Sequence, residues 1–556
     1  MKILTFIIFS LVLLQNHELY LFKNTLAKEV TLSGLYLSGL HAKRNGSPDE
    51  ASYFFENALK LDPNNNNLSL QTFIQKLQAG RIDNLSILTG KLSKTSKNLT
   101  LIYLTDAIIK YKENRFYESN IEIEKIKDDS FIGYAVPLLN AWSKLPIEKY
   151  EDTFEALKPY TEKKEWYNIY NLNCGMINEY YNKKKQALEC YKEVSKNIAN
   201  QPLYFLKITL DGFTRLGKKN EAKKVLSDFK TSRAPSSILN EYLDKYISQN
   251  NAQRMTASLG LSEALRTIMH LQMSLNGSGS GVLSLSYGQL ALYLNPNLTL
   301  LKYDISNLFR KRGQFESAVK VLKSIKKNDP GYTMAQLRIA ENLISMDKTS
   351  NAIETLVEIS INNSSLASPL VSLGDIYRFE EEFIKAIEYY SEAINLSKNN
   401  GSPLWYLYYS RGIALERAKK WELAEKDFIK SLELNPGEAD VLNYLGYSWL
   451  DQKRNIKKAM DMIVLAAEKK PDDGYIIDSL GWAMFLIGDF KKAVALLERA
   501  VALRPGDPTI NDHLGDAYWK VGRKLEAIFQ WNHAIANIKE EDKEKDIKEK
   551  IKNGLK

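Results

Sequence analysis

A repeat of 34 to 35 residues runs down the last third of the chain and restricts the fold more than any other feature. It is visible in three successive stretches, NYLGYSWLDQKRNIKKAMDMIVLAAEKKPDD, DSLGWAMFLIGDFKKAVALLERAVALRPGD and DHLGDAYWKVGRKLEAIFQWNHAIA. Their Leu-Gly pairs place Gly446, Gly481 and Gly515 at intervals of 35 and 34 residues. Ala459, Ala493 and Ala527 recur every 34 residues, as do Pro471 and Pro505. A period of this length with two helical segments per unit marks a helix–turn–helix solenoid, in which neighbouring units stack to bury their apolar faces.

Each framework position has a physical reason. Gly481 and Ala493 hold no side chain that would keep paired helices apart. Ala500, seven residues after Ala493, keeps the second helix thin where it meets the next unit. Tyr518 and Trp531 fill the larger gaps between helix layers. Gly488 and Gly522 fall in the turn between paired helices, where left-handed backbone is needed, and the prolines end the second helix.

The order Leu-Gly-x-x-aromatic, then Ala-x-x-x-aromatic or Leu-x-x-Ala, then Pro, resembles the tetratricopeptide repeat. Gly412, Ala424, Phe428 and Pro436 fit it, as do Gly374, Tyr377, Ala386, Tyr390 and Ala393. Phe309, Gly313, Ala318, Pro330, Ala340 and Ala352 carry it upstream, and Gly39, Ala42, Ala51, Phe55, Ala58 and Pro63 carry it in the first unit. The resemblance implies an all-α fold, a right-handed α-solenoid of tandem helix–turn–helix repeats. Most of the chain, and most strongly the part after about residue 400, is similar to large exported tetratricopeptide proteins of Gram-negative bacteria, especially alphaproteobacteria. That similarity implies a non-catalytic scaffold in the cell envelope.

The pattern is firm over 299–541 and 32–65 and degenerate between 66 and 298. Within the degenerate part, Ala187 with Tyr191 and Ala222 with Leu226 mark second helices. The expected organisation is a signal peptide at 1–27, a degenerate helical array at 28–230, an irregular connector at 231–264, a repeat array at 265–541, and a charged tail at 542–556. LNGSGSGV (275–282) reads as a flexible connection between two helices. Ile547, Ile551 and Leu555 put one apolar stripe on the tail, which either caps the end of the solenoid or stays disordered.

The N-terminus has Lys2 followed by an apolar run from Ile3 to Leu14, the size of a secretory signal core and short for a membrane span. Thr25-Leu26-Ala27 offers a cleavage site, so export to the periplasm with cleavage after Ala27 is expected; an uncleaved leader would leave the protein membrane-associated. No Cys follows the apolar core, which removes the attachment point of a lipoprotein. The only two cysteines, Cys174 and Cys190, either form a disulfide or remain as buried thiols. The net charge of +9 is dispersed among 76 Lys and Arg and 67 Asp and Glu, so no tract points to nucleic acid.

The stretch NDHLGDAYW (511–519) gathers Asp512, His513 and Asp516, which raises the question of an acid–base or metal site. Helical spacing places Asp512, Asp516 and Trp519 on one face and His513 about 100° round from Asp512, so the three do not converge within their helix. His513 with His533 on the partner helix is the best metal candidate, without the i,i+4 spacing that a metal pair needs. No phosphate loop, nucleophile elbow or dinucleotide fingerprint is present, and no metal, cofactor or catalytic residue is expected.

The face that holds Asp512 recurs as Asn443 and Tyr447, and as Asp478, Trp482 and Phe485. The family resemblance implies that this face lines a concave groove for protein partners. The expected groove residues are Tyr406, Tyr409, Asn443, Tyr447, Asp478, Trp482, Phe485, Asp512, Asp516 and Trp519. The aromatic members read equally as core between repeats. An alternative partner is envelope glycan, stacked on Tyr406, Tyr408 and Tyr409.

Overall fold

The computed structural model describes residues 31–94, 99–126, 135–233, 236–249, 252–276, 281–397, 404–538 and 541–555. The leader, its cleavage position and most of the GSGSG stretch lie outside the described residues. The chain is 79% helical, and its fold is an all-α solenoid of tandem helix–turn–helix repeats without a strand among the described residues.

The start of a repeat is written in its caps. Asp507 accepts hydrogen bonds from the backbone N–H of Thr509 and Ile510 at 2.9 and 3.1 Å, and Pro508 opens the helix Pro508–Lys520. An N-cap carboxylate and a proline in the first turn satisfy or remove N–H groups that have no partner inside the helix. Gly488 and Gly522 both sit at φ +85° in the turn between the paired helices. The same left-handed turn recurs on non-glycine residues at Asp347, Glu381, Lys419 and Lys453. It also appears at Asn114, Asn182 and Gly217, so the hairpin continues where its sequence framework is degenerate.

The repeat glycines are seats for the following helix. A methyl group on Gly481 would stand 2.7 Å from Leu497, and one on Gly412 would stand 2.6 Å from Phe428. On Gly515 it would overlap the indole of Trp531. Tyr191 lies between Gly175 and Gly212, so one buried ring is seated on two successive repeats.

The chain divides into two compact units, residues 1–355 and 356–556. The division falls inside the helix Thr349–Asn362. In the first unit, one continuous apolar core runs from Phe73 to Ile339. The first helices of its hairpins, including Val136–Lys144 and Tyr167–Tyr180, pack against the 20-residue helix Ala257–Asn276. That helix begins inside the stretch read as an irregular connector and occupies the centre of the unit. The pattern was missed there because the helix is packed on several sides and shows no single framework face.

Gly260 receives the ring of Trp142 where any side chain would overlap it. The Trp142 Nε1 donates to Asn173 Oδ1 at 2.8 Å. Gln289 Nε2 donates to the Gln78 carbonyl at 2.9 Å, and Lys320 pairs with Asp49 at 2.7 Å, so the unit closes on its own N-terminal hairpin. Cys174 and Cys190 form a disulfide across the hairpin Tyr167–Tyr180 and Lys184–Ser195, with Cα atoms 6.0 Å apart.

The second unit is a row of hairpins whose apolar residues form several smaller clusters. Its last element is the helix Glu541–Asn553, with Ile547 buried and Ile551 and Leu555 packed beside it against the final hairpin.

Candidate protein-binding groove

In the second unit, the face of each first helix that adjoins its glycine seat, about 40–100° round the helix from it, carries most of the residues of interest. Tyr406 and Tyr409 lie on Leu404–Arg417, and Asn443 and Tyr447 on Ala439–Asp451. Asp478, Trp482 and Phe485 lie on Gly474–Leu486, and Asp512, Asp516 and Trp519 on Pro508–Lys520. Side chains on this face meet from one repeat to the next. Tyr409 stands edge-on to Tyr444, with ring centroids 6.1 Å apart. The Tyr447 phenol is pushed up to about 12 by burial, with Asp478 of the next repeat adding to the effect.

Trp482 is the centre of an aromatic stack. It lies 4.7 Å from Phe485 within its own helix and 4.0 Å from the His513 ring of the next repeat, nearly parallel to both. Tyr409, Asn443, Tyr447, Trp482 and Phe485 are half-buried and Tyr406 is exposed, so this stretch of the face stays accessible. The Asn443 Oδ1 is buried without a hydrogen-bond partner.

The carboxylates are placed differently from the expectation. Asp478 does not face a groove as free charge: it is buried, and its two oxygens meet His513 Nδ1 at 2.9 and 3.1 Å. Burial opposes the charge on His513, but Asp478 outweighs it and the imidazole pKa is raised. Asp516 is buried as well, accepting from Trp531 Nε1 and from Lys550 Nζ, both at 2.9 Å. Burial, reinforced by Asp512, raises the Asp516 pKa. Lys550 also donates to both oxygens of Asp512 at 2.8 Å.

Trp519 is occupied in the same way, with Gly554 seated against its indole. The last rung of the face, Asp512, Asp516 and Trp519, is therefore covered by the chain's own C-terminal helix.

His513 and Lys550 are the residues the sequence reading did not assign. Asp478 and His513 are separated by 35 residues, one repeat period, so a search for charge pairs at that offset finds them. Lys550 had no such signal, because the tail lies outside the period. His533 is exposed beside Phe529, on a different helix from buried His513, and no group of three His, Cys, Asp or Glu among the described residues is placed to hold a metal. Tyr406, Tyr408 and Tyr409 do not form one platform. Tyr406 reaches Asp375 at 3.3 Å, Tyr408 lies under the Arg411 guanidinium, and Tyr409 packs with Phe428 and Tyr444.

Comparison with known proteins agrees with the repeat structure. Family profiles described as tetratricopeptide repeat match residues 367–400 and 481–541. A TPR repeat-containing protein of Pseudomonas aeruginosa is 33% identical over 82 residues, covering 15% of this chain and 14% of that protein. A UDP-N-acetylglucosamine–peptide N-acetylglucosaminyltransferase of Giardia intestinalis is 29% identical over 158 residues, covering 28% of this chain and 10% of the enzyme. Among solved structures, the Cut9–Hcn1 hetero-tetramer of the APC/C aligns over 96% of this chain and 98% of its own, at 14% identity and a TM-score of 0.39. The matched residues are tetratricopeptide repeats, and the seated glycines and left-handed turns of the hairpins agree with that match.

Proposed function

We propose that the second unit is a protein-interaction scaffold that holds a segment of a partner along the face from Tyr406 to Phe485. The observation that carries this reading is the occupant already present at the end of that face. There, an amphipathic helix sets Lys550 between Asp512 and Asp516 and Gly554 on Trp519. A surface that accepts an amphipathic helix at one rung offers the same stacked-aromatic and polar chemistry at the preceding rungs. The partner would cover the stack of Trp482 and Phe485.

The working compartment in this proposal is the cell envelope. Supporting it are the leader pattern with its apolar run from Ile3 to Leu14 and the Cys174–Cys190 disulfide, a bond that persists in oxidising compartments. Affinity purification from envelope fractions with the wild-type chain and with Tyr447→Ala combined with Phe485→Ala tests the groove. A partner recovered with the wild type and lost with the variant, at unchanged helicity, supports it; equal recovery overturns it. N-terminal sequencing of the mature protein tests export, and a start at Met1 overturns cleavage after Ala27.

A further inference from the structure

The first unit contains a polar cavity of about 270 Å³, walled by the helix Leu203–Arg215, by Tyr242, Tyr246 and Gln253, by the start of the helix Thr299–Lys311 and by the turn at 324–330. Its lining holds one buried hydroxyl without a hydrogen-bond partner and a buried lysine without an ion pair among the described residues. Tyr242 is 2% exposed, and its hydroxyl has no hydrogen-bond partner. Lys302, 9% exposed, donates to the Ser324 carbonyl at 3.0 Å and forms no ion pair among the described residues.

Lys326 lies at the exposed mouth and likewise forms no ion pair there. The one carboxylate of the lining, Asp329, is engaged with the Thr299 hydroxyl at 2.6 Å and the Gly331 N–H at 2.8 Å. Lys207, also in the lining, is already paired with Asp211 at 2.8 Å.

Burial holds the Lys302 ammonium below the ordinary lysine range, with Asp329 opposing and Lys326 adding to the effect. A buried ammonium whose one carboxylate neighbour in the lining is already held by Thr299 and Gly331, and a buried phenol without an acceptor, both cost free energy. One acceptor group between them removes both costs, and charge-assisted hydrogen bonds from lysine and a hydroxyl to an oxyanion are among the stronger ones.

We infer that this cavity binds a small oxyanion-bearing molecule, with its carboxylate or phosphate group between Lys302 and Tyr242 and Lys326 closing over it from the mouth. The volume suits a small molecule and excludes a polymer or a folded segment. This site is independent of the groove on the second unit.

Calorimetric titration of the full chain at constant ionic strength tests the site, with inorganic phosphate in one arm and succinate in the other. Saturable binding of phosphate alone assigns a phosphate group, succinate alone a carboxylate, and both a general oxyanion site. Tyr242→Phe, which keeps the ring and removes only the hydroxyl, is expected to weaken binding roughly tenfold. Lys302→Met is expected to weaken it at least as much, and Lys550→Glu, in the second unit, to leave it unchanged. Absence of binding in both arms overturns the inference, as does binding that Tyr242→Phe leaves unaltered.

Discussion

The two units use the same hairpin in opposite ways. In the first, positions that correspond to the groove face are sealed: Leu172, Met176, Thr209 and Phe213 are all buried, and the helix Ala257–Asn276 packs on the helix Tyr167–Tyr180 that carries the first two. In the second, Tyr409, Asn443, Tyr447, Trp482 and Phe485 remain half-exposed, and the chain covers only the final rung. From Phe73 to Ile339 the first unit has one continuous core, beside a small cluster in its first hairpin; the second keeps only small clusters at successive repeat junctions. A repeat array whose face is left uncovered is available for recognition, whereas one that folds around its own helix becomes a globular body.

The strongest way to break this contrast is at Arg266, which is 2% exposed and bridges Glu263 and Asp304 inside the first unit. Arg266→Met leaves Glu263 without its guanidinium and Asp304 with the His270 imidazole at 3.1 Å, and is expected to cost about 3–5 kcal/mol. Denaturant unfolding followed by hydrogen exchange should show the loss throughout residues 66–344, because the core is continuous, with the repeats after 404 unchanged. A loss confined to one hairpin would show that the first unit is as modular as the second.

Gly515→Ala comes next. The added methyl meets the rigid, fully buried indole of Trp531, and the expected cost is about 1–3 kcal/mol. The same change at Gly481 meets the flexible Leu497 side chain and should cost less. Equal costs would show that the repeats adjust as a whole rather than at each seat. Both are read from the denaturant midpoint of the second unit.

A smaller effect is expected at the C-terminal cap. Lys550→Glu places a third negative charge beside Asp512 and Asp516, at side chains about one-fifth exposed apart from Asp516. The local cost is about 1–2 kcal/mol after allowing for solvent screening. Faster amide exchange across 541–555 and around Trp519, with no change at 404–469, would confirm nearest-neighbour coupling. If the groove is a general site for such helices, the uncovered rung should also bind added partner segment more tightly.

The smallest effect is a dependence on pH. The His513 pKa in the folded state is raised above its ordinary value of 6.5, so its contribution is fully present below that value and is lost as pH rises through the folded pKa. The second unit should therefore lose stability over that range in the wild type, and His513→Gln should flatten the slope. Parallel curves for the two proteins would remove the Asp478–His513 pair from the account of stability.

The fold class was legible because the framework residues act locally. Gly481, Gly515 and their alanine partners are required wherever two helices meet at a fixed distance, so the requirement recurs at each period. The degenerate stretch from 66 to 298 hid its hairpins because first helices such as Leu99–Lys112 and Val136–Lys144 contain no seat glycine, although the left-handed turn persists at Asn114. Of the proposed groove, the face was legible from helical spacing but its charges were not. Asp478 and Asp516 sit at face positions in the pattern, yet each is bonded to a group from the next repeat, the partner helix or the tail.

By itself, then, the sequence determined the repeating hairpin, its glycine seats and the face each first helix turns outward, since all of these follow from spacing within about 35 residues. Only the tertiary structure decided which of those faces is filled. That depends on contacts between segments far apart in the chain: Gly260 on Trp142, Gln289 on Gln78, and Lys550 on Asp512. Periodicity holds no record of such contacts, because each is made once and not at every repeat.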